Sequence, residues 1–74
     1  MEVWLKIDTD NAAFSDGREI EVARILRETA GKIELQNHFS DGFDMPLRDI
    51  NGNETGFIGL YAKPQILVQR VHGK

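Results

Sequence analysis

The first apolar pattern of the chain is an alternation near its N-terminus. Val3, Leu5 and Ile7 are separated by single residues that are polar or aromatic. A period of two is typical of a strand with one buried face, so we predict a strand over residues 2–8. The turn-rich stretch that follows contains Phe14, and we expect its ring to fold back and anchor the loop.

The clearest element is a helix, which we predict over residues 17–35. Asp16 and Glu19 have the spacing of a capping box at its start, with Asp in place of the usual Ser or Thr. At about 100° per residue, one apolar arc of this helix collects Val22, Ile25, Leu26, Thr29, Ala30 and Ile33. Gly31, on the far side of the helix, is a stop signal, although the apolar arc continues beyond it through Ile33. The alternative is therefore a helix that ends at Gly31, followed by a strand over residues 32–35.

A hairpin is indicated by two apolar runs on either side of Asn51-Gly52. Asn-Gly in this position is the strongest short-range hairpin signal, because both residues tolerate a positive φ and the turn matches the strand twist. We predict its strands over residues 45–50 and 54–62. After a break at Pro64, residues 65–71 are rich in Ile, Leu and Val and predict a last strand.

The order of these elements is β-α-β-β with a fourth strand, which predicts a small α+β domain over residues 1–74. A helix that follows the first strand must cross over the sheet. We therefore expect one helix packed on one face of a mostly antiparallel sheet of three or four strands. No second helix is predicted for the opposite face.

That opposite face carries the residues that we predict to bind a partner. In the register of a two-residue hairpin turn, it displays Trp4, Arg48, Phe57 and Tyr61. Aromatic residues and arginine are enriched at interface hot spots. In the alternative interpretation, Trp4 and Phe57 pack against the C-terminal segment or against the loop predicted over residues 37–44.

The hairpin turn contains charges that turn chemistry does not require. The same register places Asp49 opposite Glu54, a mildly unfavourable pair of like charges. A three-residue loop over residues 51–53 removes this pair, but it swaps the facing of the return strand. We predict that Asp49 and Glu54, beside Arg48, make polar contacts with a partner.

Length and composition limit the class of protein. A chain of 74 residues forms one domain that buries only about 60% of its unfolded surface, so its stability margin is thin. With no cysteine, it has no disulfide and no thiolate zinc site. The N-terminus lacks the basic start and long apolar run of a secretory signal, and no run of about 18 apolar residues could span a membrane. We expect a cytoplasmic location.

The charge of the chain is unevenly distributed. Residues 63–74 carry Lys63, Arg70 and Lys74 and no acidic residue, so the first 62 residues hold 6 basic and 12 acidic side chains. An acidic body argues against tight binding to a phosphate backbone, which requires a basic stripe. A nucleic-acid regulator that uses the basic tail is therefore the weakest of our functional hypotheses.

The candidate chemistry is sparse, and we predict a protein that is not an enzyme and needs no cofactor or metal. The two histidines are His38 and His72, and His38 lies near Ser40 without the sequence context that positions a catalytic serine. Residues 49–53 superficially resemble a calcium loop. In a true EF-hand loop the glycine is sixth, whereas Gly52 is fourth here, so ordinary turn chemistry explains these residues better.

Three blocks of the chain together resemble a known class of sequences. They are DNAAF at residues 10–14, EVARILR at residues 21–27, and LRDINGN at residues 47–53 followed by Gly56. The set resembles short open reading frames carried by bacteriophages, prophages and other mobile elements, over about residues 3–60.

Most proteins of this kind have no assigned function, so the resemblance implies a habitat more than an activity. Small accessory phage proteins frequently bind and disable host machinery, including CRISPR effectors and other defence systems. The resemblance thus implies a protein that acts by binding a host or phage protein. The alternative is a self-assembling structural component in which the aromatic face forms a homodimer.

Overall fold

The computed structural model describes residues 1–62 of the chain. The predicted strand over residues 65–71 and the basic residues of the tail lie outside the described residues. The observed elements are, in chain order, β1 (Glu2–Ile7), a 3₁₀ turn (Ala12–Phe14), α1 (Arg18–Glu34), β2 (Asp44–Arg48) and β3 (Glu54–Tyr61).

The predicted α+β class is confirmed. One helix packs against a three-stranded antiparallel sheet in the order β1-β3-β2. In the centre of the sheet, Ile58 is paired with Leu5 on one side and with Met45 on the other. Over the described residues, no helix is long and apolar enough to cross a membrane.

The hydrophobic core lies between the helix and the sheet. Its buried members are Phe14, Ile25, Leu47 and Ile58, which come from the 3₁₀ turn, the helix and two strands. The helix packs mainly against the 3₁₀ turn and β2. Phe14 therefore anchors the loop after β1, as its sequence context predicted.

The helix continues past Gly31 to Glu34, so the alternative of a helix ending at Gly31 is wrong. The predicted cap at Asp16 is also wrong. The N-cap is Gly17, which makes no side-chain capping bond and has a φ of +127°. Its carbonyl accepts the first backbone hydrogen bonds of the helix, from Ile20 at 3.0 Å and Glu21 at 3.2 Å. A positive φ favours glycine, which has no Cβ to clash.

The helix is rotated relative to its apolar arc. Its buried residues are Glu21, Ile25 and Thr29, which lie along one side of the predicted arc. Leu26 and Ala30, on the other side of that arc, are exposed. The face that meets the sheet is therefore not the most apolar face that the sequence offers.

The hairpin turn is longer than predicted, although most of the strand register is as predicted. The strands end at Arg48 and resume at Glu54, so the loop covers residues 49–53 and neither the two-residue nor the three-residue turn is correct. Leu47 still pairs with Gly56, as a two-residue turn requires. A register shift then pairs Arg48 with Glu54. This bulge accommodates the longer loop, and the side chains before Leu47 and after Gly56 keep the sides of the sheet that the sequence predicted.

Candidate interaction surface

The three aromatic residues of the predicted binding face do share one face of the sheet. Trp4 is paired with Gly59, which lies between Phe57 and Tyr61 along β3. Trp4 is 38% exposed, whereas Phe57 and Tyr61 are only 5% and 6% exposed. The expectation that all three rings are displayed is therefore wrong for Phe57 and Tyr61.

The burial of Tyr61 is explained partly by Gly59. The ring of Tyr61 occupies the space that a Cβ at Gly59 would need. From there its hydroxyl donates a 2.7 Å hydrogen bond to the Asp44 carboxylate on β2. Phe57 joins Tyr61 in a small second cluster of buried residues. The sequence contained one signal for the burial of Tyr61, the glycine two residues before it. A glycine within a strand often marks a position that another group approaches closely.

Arg48 does not join the aromatic cluster in the way the sequence predicted. The register shift between Leu47 and Arg48 interrupts the regular alternation that would align it with Phe57. Its guanidinium instead donates to the carbonyl of Gly52 at 3.2 Å. Arg48 is exposed, and Glu54 opposite it is exposed as well.

Asp49 organises the turn from within. Only 4% of the residue is exposed, and its Oδ1 accepts 2.9 Å hydrogen bonds from the backbone N–H groups of Asn51 and Asn53. Its Oδ2 is buried without a hydrogen-bond partner in the described part of the chain. The expectation that Asp49 is presented to a partner is wrong, because its carboxylate is turned inward to order its own loop.

A second buried carboxylate, which the sequence analysis missed, fastens this loop to the helix. Glu21 accepts a 2.8 Å hydrogen bond from the backbone N–H of Ile50. Arg24 donates to both oxygens of Glu21, at 2.9 and 2.8 Å, and to Glu28 at 2.7 Å. The spacing of Glu21 and Arg24 was a local signal. The bond to Ile50 joins residues far apart in the chain, and no local pattern predicts it.

This network shifts the protonation equilibria of its members. The hydrogen bonds from Arg24 lower the pKa of Glu21, against an opposing effect of burial, and the bond from Ile50 lowers it further. The hydrogen bonds that Arg24 donates to Glu21 and Glu28 raise the pKa of Arg24. Both groups are therefore held in their charged forms, and the pair stabilises the junction between helix and turn.

An open pocket of about 520 Å³ lies beside the end of β1. Its described lining residues are Lys6, Asp8, Asp10, Asn11, Glu54, Thr55, Gly56 and Phe57. One carboxylate oxygen of Asp8 accepts the backbone N–H of Asp10 at 3.0 Å, which is ordinary turn chemistry. Among residues 1–62, no three side chains of metal-ligating type converge.

Two apolar side chains of β1 are exposed. Val3 and Leu5 are 55% and 40% exposed, although they lie on the helix side of the sheet with the core. The helix leaves them uncovered because it packs mainly against β2 and the 3₁₀ turn. Leu26 is also exposed. It projects from the side of α1 opposite Arg24, whose guanidinium lies 3.4 Å from the Arg48 carbonyl on β2. We call Val3 and Leu5, which share one face of β1, the apolar strip.

The outer edge of β1 is unpaired within residues 1–62, since β1 is the first strand of the sheet. The backbone N–H of Asp8 bonds to the Thr55 carbonyl of the neighbouring chain segment at 2.7 Å. Because backbone groups of an antiparallel strand alternate in direction, the even-numbered residues of β1 face β3. The N–H and C=O groups of Val3, Leu5 and Ile7 therefore face the outer edge.

No known protein family, curated protein sequence or solved structure matches this chain.

Proposed function

We propose that this domain acts by binding another protein, and that the apolar strip is its contact surface. The observation that carries this proposal is the exposure of Val3 and Leu5 on the face of the sheet that elsewhere forms the core. Contiguous exposed apolar groups mark interaction sites more often than bare surface. Their burial would contribute roughly 25 cal/mol per Å² of apolar area.

The class of partner is proposed from the resemblance to phage open reading frames. A small phage-type accessory protein with an apolar docking surface is suited to block a host defence complex, such as a CRISPR effector, by occupying one of its surfaces. Trp4, on the other side of the same strand, supplies a further hot-spot residue type close to the strip.

The proposal is tested by expressing the full chain in bacteria that carry single, defined defence systems and counting plaques of a sensitive phage. We expect restored plaque formation in at least one such host. Leu5→Gln should abolish this protection. Leu35→Gln is the matched control, since it makes the same change at an exposed leucine just beyond the helix, outside the strip.

Two results would contradict the proposal. If the chain protects phage in none of the hosts, the anti-defence role is excluded for those systems. If Leu5→Gln and Leu35→Gln behave alike while both remain folded, the apolar strip is not the contact surface.

A further inference from the structure

We propose that two copies of this chain associate through the outer edges of their β1 strands, antiparallel, with Trp4 opposite Trp4 of the second copy. The pairing would join two three-stranded sheets into one of six strands. It rests on the edge geometry and charges of β1. It shares Val3 and Leu5 with the proposed contact surface, whereas Glu2 and Lys6, whose charges select its register, lie outside that surface.

The backbone of β1 restricts which registers are available. Val3, Leu5 and Ile7 direct their N–H and C=O groups to the outer edge, as the Asp8–Thr55 bond indicates. An antiparallel partner must therefore place its own odd-numbered residues opposite these. With Trp4 at the centre, Val3 of each copy exchanges both backbone hydrogen bonds with Leu5 of the other. An unpaired edge of this kind is a template for a further strand.

Charge then selects among the allowed registers. In the Trp4-centred register, Glu2 of each copy lies opposite Lys6 of the other, and two-fold symmetry makes this pair twice. Shifting the centre to Leu5 puts Glu2 opposite Asp8 of the other copy, also twice. Shifting it to Val3 puts Glu2 opposite Trp4 and leaves Lys6 beyond the end of the partner strand. Opposite charges across strands stabilise pairing and like charges destabilise it, so the Trp4-centred register is favoured.

The same register buries apolar groups that are exposed in the single copy. On the helix side, Val3 of each copy would lie opposite Leu5 of the other copy. The two apolar strips would therefore contact each other and form one continuous surface. On the other side the two Trp4 rings form a pair at a position without backbone hydrogen bonds, where opposed side chains are closest. The indole N–H of Trp4 already donates to Glu2 at 2.7 Å, which holds the ring along the strand and beside the charged pair.

The charges allow a decisive test by sedimentation and native mass spectrometry of the full chain. Glu2→Lys and Lys6→Glu, made singly, turn both attractive pairs into repulsive ones, and each should weaken self-association by at least about tenfold. The double variant Glu2→Lys/Lys6→Glu restores opposite charges and should dimerise like the wild type. It also shows that neither reversal prevents folding.

An equimolar mixture of the two single variants should form a heterodimer, because every charge pair in it is again attractive. Uniform ¹⁵N labelling of one variant separates the heterodimer from both homodimers by mass. Failure of the mixture to associate, with both variants folded, would contradict the proposed register.

Cross-linking provides a second measurement of the register. The chain has no cysteine, so Trp4→Cys introduces a single thiol that faces its counterpart within disulfide reach. Val3→Cys is the control, since two Val3 residues are offset along the strands in this register and should not cross-link. Faster cross-linking of Val3→Cys than of Trp4→Cys would overturn the register.

A wild-type chain that stays monomeric up to millimolar concentration would overturn the dimer itself. In that case, protection of the Val3 and Leu5 amides from hydrogen exchange would assign the edge to another segment of the same chain. Exchange at the unprotected rate would show that no segment of the chain pairs with the edge.

Discussion

The two edges of the sheet are built in opposite ways. At the β2 edge, Leu47 is buried beneath the helix, and the following loop is fastened by Asp49 from within and by Glu21 from the helix. At the β1 edge, Val3 and Leu5 lie on the same side of the sheet but are exposed. Both strands lie at an edge of the sheet, but the helix covers the core side of β2 and leaves that of β1 exposed.

The contrast separates conspicuous residues from those available to a partner. The charges of the turn stand out in the sequence, yet the Asp49 carboxylate accepts backbone hydrogen bonds from its own loop and is not available to a partner. Val3 and Leu5 look like ordinary core residues of a strand, yet they are the accessible ones. The position of the helix makes the difference, because it covers β2 and leaves β1 bare.

The largest expected difference in stability is between two Leu→Ala variants, one at each edge of the sheet. Leu47→Ala leaves a cavity in the core and should lower the free energy of unfolding by about 3 kcal/mol. Leu5→Ala removes a side chain that is 40% exposed, and we expect a loss of less than about 1 kcal/mol. Urea unfolding at low micromolar concentration measures both without a contribution from association. Equal losses would mean that the two edges do not differ in burial.

Much of the fold was predictable because its signals are local. Helical periodicity placed the helix within one residue of its observed ends, Arg18 and Glu34. Alternation and the Asn51-Gly52 signal placed Leu47 opposite Gly56. The length of the turn was not predictable in the same way, since it depends on Asp49 folding inward. The strand register away from the turn does not reveal this length, because the bulge restores the pairing expected for a two-residue turn.

The candidate surface could not be predicted, because it depends on how the helix is rotated. The bond from Ile50 to Glu21 joins positions 29 residues apart, and it holds Glu21 against the sheet side of the molecule. With Glu21 on the packed side of the helix, Leu26 is exposed although periodicity places it in the apolar arc. The burial of Tyr61 likewise depends on a cross-strand contact with Asp44, which no periodic pattern encodes.

A smaller effect is expected from removing the inward carboxylate of the turn. Asp49→Ala deletes the acceptor of two backbone N–H groups and should cost about 2 kcal/mol. Asp49→Asn keeps an acceptor oxygen, so its loss of unfolding free energy should be smaller than that of Asp49→Ala. Urea unfolding of both variants gives the difference. If Asn and Ala cost the same, the hydrogen bonds of Oδ1 do not stabilise the loop.

The attachment of the turn to the helix should depend on pH. Because the folded state lowers the pKa of Glu21, its charge stabilises the fold above the ordinary glutamate pKa of about 4.3. This contribution is lost as the pH falls below that value through the lowered pKa of the folded state. Wild type should therefore melt at a higher temperature than Glu21→Gln at pH 7, and the gap should narrow towards pH 3. A gap that is constant with pH would contradict this role of the charge.

The smallest expected effect is at Leu26, where the apolar arc and the observed stripe of buried residues disagree. If Leu26 were a core residue, as periodicity indicates, Leu26→Gln would bury an unpaired amide and cost several kcal/mol. Since the side chain is exposed, we expect a change within about 0.5 kcal/mol in thermal or urea unfolding. Ile25, one position earlier, is buried, and Ile25→Gln is the matched variant that should unfold the domain. A large loss at Leu26 would mean that the helix covers β1 as well, and the apolar strip would then be core rather than a surface for a partner.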